Sequence, residues 1–283
     1  MRIRTNLTNP YVLDLAEDGV DSVAALSDKN RNFLEAVVML DSNYKRDSQC
    51  VPPDAGFNLE NNASDSEGKY CGSLTFWFSE MQKTPSTFTY EECILGAVIS
   101  IDRSNSTHLE QVTDGRKRMR DRITRCCPDL VSLKEALAVP FSANNSNHLI
   151  CKMTEAGMKS IKNETDVFFI SFASKFCAYA AIALNVKDSE GKSIEYSKYD
   201  NVVSDHLNVY AKLYLDLPKK PTKSSYKISQ ITDNYSLKRE KGLGVYQRYQ
   251  ETIGAILQRL LQDGILMNRS ELDHIIWYCE KGN

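Results

Sequence analysis

From residue 106 onward, apolar residues return at intervals of three and four, the mark of helices that bury one face. Residues 108–125 predict a highly charged helix, 129–139 a shorter one and 147–162 a third. The most apolar stretch, 165–184, is followed by 200–215, where Val202, Val203, Leu207, Tyr210 and Leu213 or Tyr214 keep helical register. A long amphipathic helix over 243–263 and a last one over 270–280 close the pattern. Between them lie a polar insertion, 186–197, around Gly191, and a loop, 217–236, rich in proline and lysine.

The first hundred residues are patterned less clearly. Residues 32–44 place Phe33, Val37 and Leu40 on one helical face, and 49–69 form a loop punctuated by Pro52, Pro53, Gly56 and Gly68. Residues 72–81 suit a short strand or a helix. Thr89 followed by Glu92 has the spacing of a reciprocal cap and starts a helix over 93–101. The pattern predicts a mainly α fold, with a less regular N-terminal region (1–104) ahead of a helical domain (105–283).

Composition narrows the classes. Of 283 residues, 42% are hydrophobic and 25% charged, the balance of a globular chain with a core. No run has the length of a membrane span, and the first residues lack a signal peptide's apolar stretch, so a cytoplasmic protein is expected. Eight cysteines without a C-x-x-C and four dispersed histidines predict no metal site, and no cofactor is expected. Charge is uneven: residues 1–100 carry 8 Lys+Arg against 15 Asp+Glu, a balance of −7, leaving +5 for the rest. An anionic partner for the body is expected, while the acidic region could bind a protein partner, shape substrate choice or complete the fold.

The sharpest chemical feature is Lys175, set in the run from Phe168 to Leu184. A buried amine is costly to keep charged, and the neutral form is a nucleophile. Lysine can also snorkel, its stem buried and its amine in water. Ser171, Ser174 and Ala178 are small and leave room for a cleft beside it. Twenty-five positions on, Asp200 opens the next helix. It suits a helix cap, and a carboxylate fixed there can accept a proton or stabilise an oxocarbenium ion. Lys219, Lys220, Lys223 and Tyr226 interleave cations with an aromatic ring, a mixture that grips phosphates and stacks on bases or simply forms a surface linker. The arginines of 116–125 are spread all round their helix, as on a solvated one. Near the end, Ser270 and Asp273 have cap spacing, and Trp277 suits either a base pocket or a docking anchor.

Taken together, S-F-A-S-K at 171–175, Y-D-x-x-V from Tyr199, and R-S-x-L-D-x-x-x-W from Arg269 resemble a bacterial group with the 8-oxoguanine DNA glycosylase fold. That group is a divergent branch of the helix-hairpin-helix DNA glycosylases, and the resemblance covers roughly residues 105–283. It implies an all-helical domain, a Schiff-base lysine at Lys175, an activating aspartate at Asp200 and a flipped base held in a cleft. Asp273 and Trp277 are then expected at the base pocket. The hairpin before the lysine has no glycine here, so Ser171 and Ser174, or another loop, would grip the phosphate. The implied partner is DNA with a damaged or modified base and the implied setting bacterial antiviral defence, with no membrane partner. A helical adaptor that kept the fold without the chemistry is the alternative.

Overall fold

Thr89 and Glu92 form the reciprocal cap that their spacing predicts. The Thr89 amide donates to Glu92 Oε2 at 2.7 Å, and the Glu92 amide donates to Thr89 Oγ1 at 3.2 Å. Two orphan N–H groups are thereby satisfied, and the helix runs from Tyr90 to Asn105.

The computed structural model describes residues 73–281 apart from 106, 219, 229–233 and 263–266. Its helices are α1 (Ser73–Glu80), α2 (Tyr90–Asn105), α3 (Gly115–Cys126), α4 (Leu130–Ala138), α5 (Leu149–Met153), α6 (Ile170–Ala183), α7 (Asn201–Tyr214), α8 (Tyr235–Gln262) and α9 (Arg269–Lys281). Extended pairing among the described residues is confined to isolated bridges, such as Val112 with Ser160. The fold is mainly α, and the segment left open between strand and helix is α1. The predicted helix over 32–44 and the loop over 49–69 lie outside the described residues. None of the described helices is long and apolar enough to cross a membrane.

The chain divides into two compact units. Among described residues, the first holds 73–196 and the start of α8 to residue 243; the second holds 197–228, α8 from residue 244, and α9. The boundary expected after residue 104 falls inside α2, whose two sides belong to one unit. The expected boundary followed the onset of regular helical spacing, whereas the units follow from which segments pack together.

In the first unit α6 is the central helix, packed against α1, α2, α4 and α5. Ten of its 14 residues are buried, and Phe176 is in ring contact with Phe172 and Phe78. The α1–α2 contact depends on Gly96, where a Cβ would run into the Trp77 indole. Gly96→Ala is therefore expected to cost about 1–3 kcal/mol through overpacking, read as a lower urea midpoint.

Four predicted elements differ in extent. The charged helix over 108–125 is broken: a 3-10 turn at Leu109–Gln111 precedes α3, which starts only at Gly115. His108 and Asp114 take left-handed backbone, and a Cβ at Gly115 would meet the Leu109 carbonyl. The helix over 147–162 shrinks to α5, because Arg122 takes the carbonyls of Met153 and Ala156 while Tyr235 and Arg239 take that of Thr154. Gly157, at φ 103°, then turns the chain away. The apolar helix begins at Ile170 rather than 165, since Asp166 pairs with Lys159 in a bridge. The long helix begins eight residues before position 243, at Tyr235, despite Gly242 and Gly244. Gly242 there lies against the Phe168 ring, so packing outweighs its poor helix propensity.

His148 caps α5, accepting from the Ile150 amide at 3.1 Å, and is 2% exposed beside Tyr196. Burial holds its imidazole down at about 4. The unfolded imidazole takes a proton near pH 6.5 and the folded one only near 4, so acid favours the unfolded chain across that window. The expected loss is about 3 kcal/mol between pH 7 and 4, measured as the urea midpoint. His148→Gln should flatten that part of the pH dependence.

Candidate functional site

Lys175 belongs to the first unit and Asp200 to the second, and the surroundings of each are described within its own. Lys175 is 6% exposed on α6. Its Nζ reaches the carbonyl oxygen of Asn105 at 3.4 Å, the long end of the hydrogen-bond range. Asn105 ends α2, so the amine stands where a helix dipole favours positive charge. The Tyr179 hydroxyl, one turn further along α6, contacts Asn105 Oδ1 at 3.1 Å.

The small-residue face of α6 is not an open cleft. Ser174 and Ala178 are buried, because small side chains admit close packing of neighbours. The Ser174 hydroxyl donates to the Ser171 carbonyl at 3.1 Å and is turned into the protein, away from any phosphate. Ser171 is half-buried. Ile182, at the other end of the helix, is 59% exposed, although its spacing places it with the core.

Asp200 is the N-cap of α7, with its carboxylate accepting from the Val202 amide at 2.8 Å. Side chains of α8 and α9 fix Ser197 and Lys198, and the backbone of Tyr226 and Ile228 holds Tyr199. Gln250 Oε1 accepts from the Ser197 amide at 2.9 Å, and the Tyr246 hydroxyl donates to the Ser197 carbonyl at 2.8 Å. Arg269 donates to Ser197 Oγ at 2.6 Å. The Tyr249 hydroxyl donates to the Lys198 carbonyl at 2.9 Å. Tyr199 donates its hydroxyl to the Tyr226 carbonyl at 3.1 Å and accepts from the Ile228 amide at 2.9 Å.

Lys198 is as buried as Lys175, at 4% exposure, and was not among the residues expected from the sequence. Its Nζ lies 3.5 Å from Asp273 Oδ2 and 3.1 Å from Ser270 Oγ. Both partners are available because α9 is capped elsewhere than their spacing suggests. Asn268 Oδ1 accepts from the Glu271 amide, and Glu271 Oε2 accepts from the Asn268 amide, each at 2.9 Å. The cap two residues earlier leaves Ser270 and Asp273 for Lys198. Tyr249, fully buried, has its phenol pushed up by burial first and then by the charges of Asp273 and Asp200. Both carboxylates thus act on the same hydroxyl.

The remaining candidates are spread over the second unit. Lys219 lies outside the described residues; Lys220 is exposed, and Lys223 opens a 3-10 turn. Tyr226 is 4% exposed with its hydroxyl accepting from Thr252, so its ring is core rather than an open stacking surface. Trp277 is half-buried on α9, one turn beyond Asp273. In the first unit, Arg116 pairs with Asp102, and Arg118 and Arg122 bind carbonyls between 153 and 157. Those arginines of the basic run serve the fold. The spacing of Tyr246, Tyr249 and Gln250 at i, i+3 and i+4 was the available signal for the face that holds residues 197 and 198.

No known family model, curated protein or solved structure matches this chain.

Proposed function

We propose that this chain is a DNA glycosylase of the Schiff-base type, built on a helix-hairpin-helix glycosylase-like arrangement and acting on a damaged or modified base. The observation that carries the reading is the burial of Lys175 on the central helix of its unit, its amine met by a long bond to a carbonyl. A lysine amine enclosed by packed side chains is the setting in which enzymes use lysine as a nucleophile. In this reading the nucleotide leaves the stack, at a cost of a few kcal/mol that favours weakly paired bases. Lys175 Nζ donates its electron pair to C1′, the N-glycosidic bond breaks, and the base leaves with that bond's electrons and takes up a proton. Asp200 is assigned the carboxylate's part, stabilising positive charge on the sugar and accepting the proton the amine sheds. The aminal so formed then opens: the nitrogen lone pair makes the imine as the C1′–O4′ bond breaks, O4′ takes the proton held by the carboxylate, and the imine permits strand cleavage by elimination.

The test is borohydride reduction in the presence of duplexes carrying a panel of modified bases. A covalent protein–DNA adduct mapping to Lys175 is expected, and an adduct on no substrate, or at another lysine, would overturn the assignment. One observation favours a second reading, a helical adaptor without chemistry. An ammonium at the α2 C-terminus is a structural device in its own right, and the inward Ser174 hydroxyl removes a phosphate contact. Under that reading DNA is bound or ignored without any adduct forming.

A further inference from the structure

We propose that Lys198, Asp273 and Tyr249 are positioning residues for the Asp200 carboxylate, an assignment that rests on the glycosylase reading only for its catalytic consequence. All four residues belong to the second unit. A carboxylate capping a helix from extended backbone has freedom about its own side chain and about the chain leading to it. The second freedom is removed here. Lys198 is anchored at its carbonyl by the Tyr249 hydroxyl (2.9 Å) and at its amine by Asp273 (3.5 Å) and Ser270 (3.1 Å). Only Tyr199 separates it from Asp200, and that ring is itself bonded at the hydroxyl in both directions.

Burial gives these contacts their force. Tyr249 is 0%, Lys198 4% and Asp273 5% exposed, so losing one partner leaves another polar group without compensation. A buried ion pair contributes little net stability but specifies one arrangement of the groups it joins. The arrangement specified is the approach of the chain to Asp200. The influence of both Asp200 and Asp273 on the Tyr249 phenol is the electrostatic trace of the same proximity.

Val202 provides a readout that needs no substrate. It lies in the first turn of α7, where no backbone carbonyl is available to its amide, and its partner is Asp200 Oδ1. Hydrogen exchange at the Val202 amide therefore reports where the carboxylate is. In the full chain, Tyr249→Phe and Asp273→Asn are each expected to accelerate exchange at Val202 at least about tenfold, the size of one cap contact, with α6 amides unchanged. Wild-type protection at Val202 in both variants would overturn the proposal. So would a uniform acceleration at every amide, the result of a merely structural role.

Single-turnover excision separates this proposal from the reading it rests on. Tyr249→Phe should lower the chemical rate about tenfold with KM changed less than twofold, and Asp200→Ala should abolish the rate. Full activity in Asp200→Ala sinks the glycosylase assignment and leaves the positioning claim to the exchange data. An inactive Asp200→Ala beside a fully active Tyr249→Phe and Asp273→Asn sinks the positioning claim alone.

Discussion

Lys175→Met is expected to remove all borohydride-trapped adduct while the protein stays folded. Methionine has nearly the length and volume of the lysine stem, and volume-conserving swaps in a packed interior usually cost below about 1.5 kcal/mol. The site favours that outcome, since Phe172, Phe176 and Ala178 near Lys175 on α6 are buried apolar residues. The contact to the Asn105 carbonyl is long, at 3.4 Å. Against this small structural effect stands the loss of the amine proposed to form the imine, so the adduct should fall below detection rather than by a modest factor. Lys175→Arg completes the comparison: it preserves a cation near the α2 C-terminus but no nucleophile. If Lys175→Arg traps nothing and Lys175→Met is equally stable, the amine acts through chemistry. Unchanged excision in Lys175→Met would end the Schiff-base reading at once. A large stability loss in Lys175→Met, with Lys175→Arg fully stable, would make the residue a helix cap.

Asp102→Ala is expected to be the most destabilising single change in the first unit, by about 3–5 kcal/mol. Its carboxylate is fully buried and joins three separate segments. Oδ1 accepts from the Thr107 hydroxyl at 2.7 Å and the Leu109 amide at 2.9 Å, and Oδ2 accepts from Arg116 Nε at 2.7 Å. Alanine leaves a guanidinium and two donors without their acceptor at once, the situation in which a buried pair is most costly to break. A lower urea midpoint measures the effect, and Asp102→Asn should recover part of it by keeping an acceptor oxygen. Asp102 lies one turn before Asn105, so the same variant should also disturb the carbonyl that meets Lys175 and lower any adduct yield. A midpoint shift near zero would mean that the three contacts are replaced by water at little cost.

Two local signals in the sequence were legible because the partners lie within four residues. Thr89 with Glu92 and Asp200 with the Val202 amide are caps of that kind, and both are formed. The early end of α5 was not legible, because its causes are distant. Arg239 reaches the Cys151 carbonyl across 88 positions, and Arg122 reaches Met153 across 31. The cap of α9 shows how close the competition can be. Ser270 with Asp273 and Asn268 with Glu271 share one spacing, and the structure caps α9 with the second pair while Lys198 engages the first.

The sequence by itself determined a mainly helical chain, the apolar helix that carries Lys175, and the carboxylate that opens the helix after it. These follow from spacings of three and four residues, which act through the geometry of a single helix and need no neighbour. Only the tertiary structure decided that Ser174 turns inward, that Tyr226 is core, and that a second lysine, Lys198, is buried beside Asp273. Those outcomes depend on which faces meet, as Tyr249 meets Lys198 across 51 positions, and packing settles such pairings only once the helices are assembled.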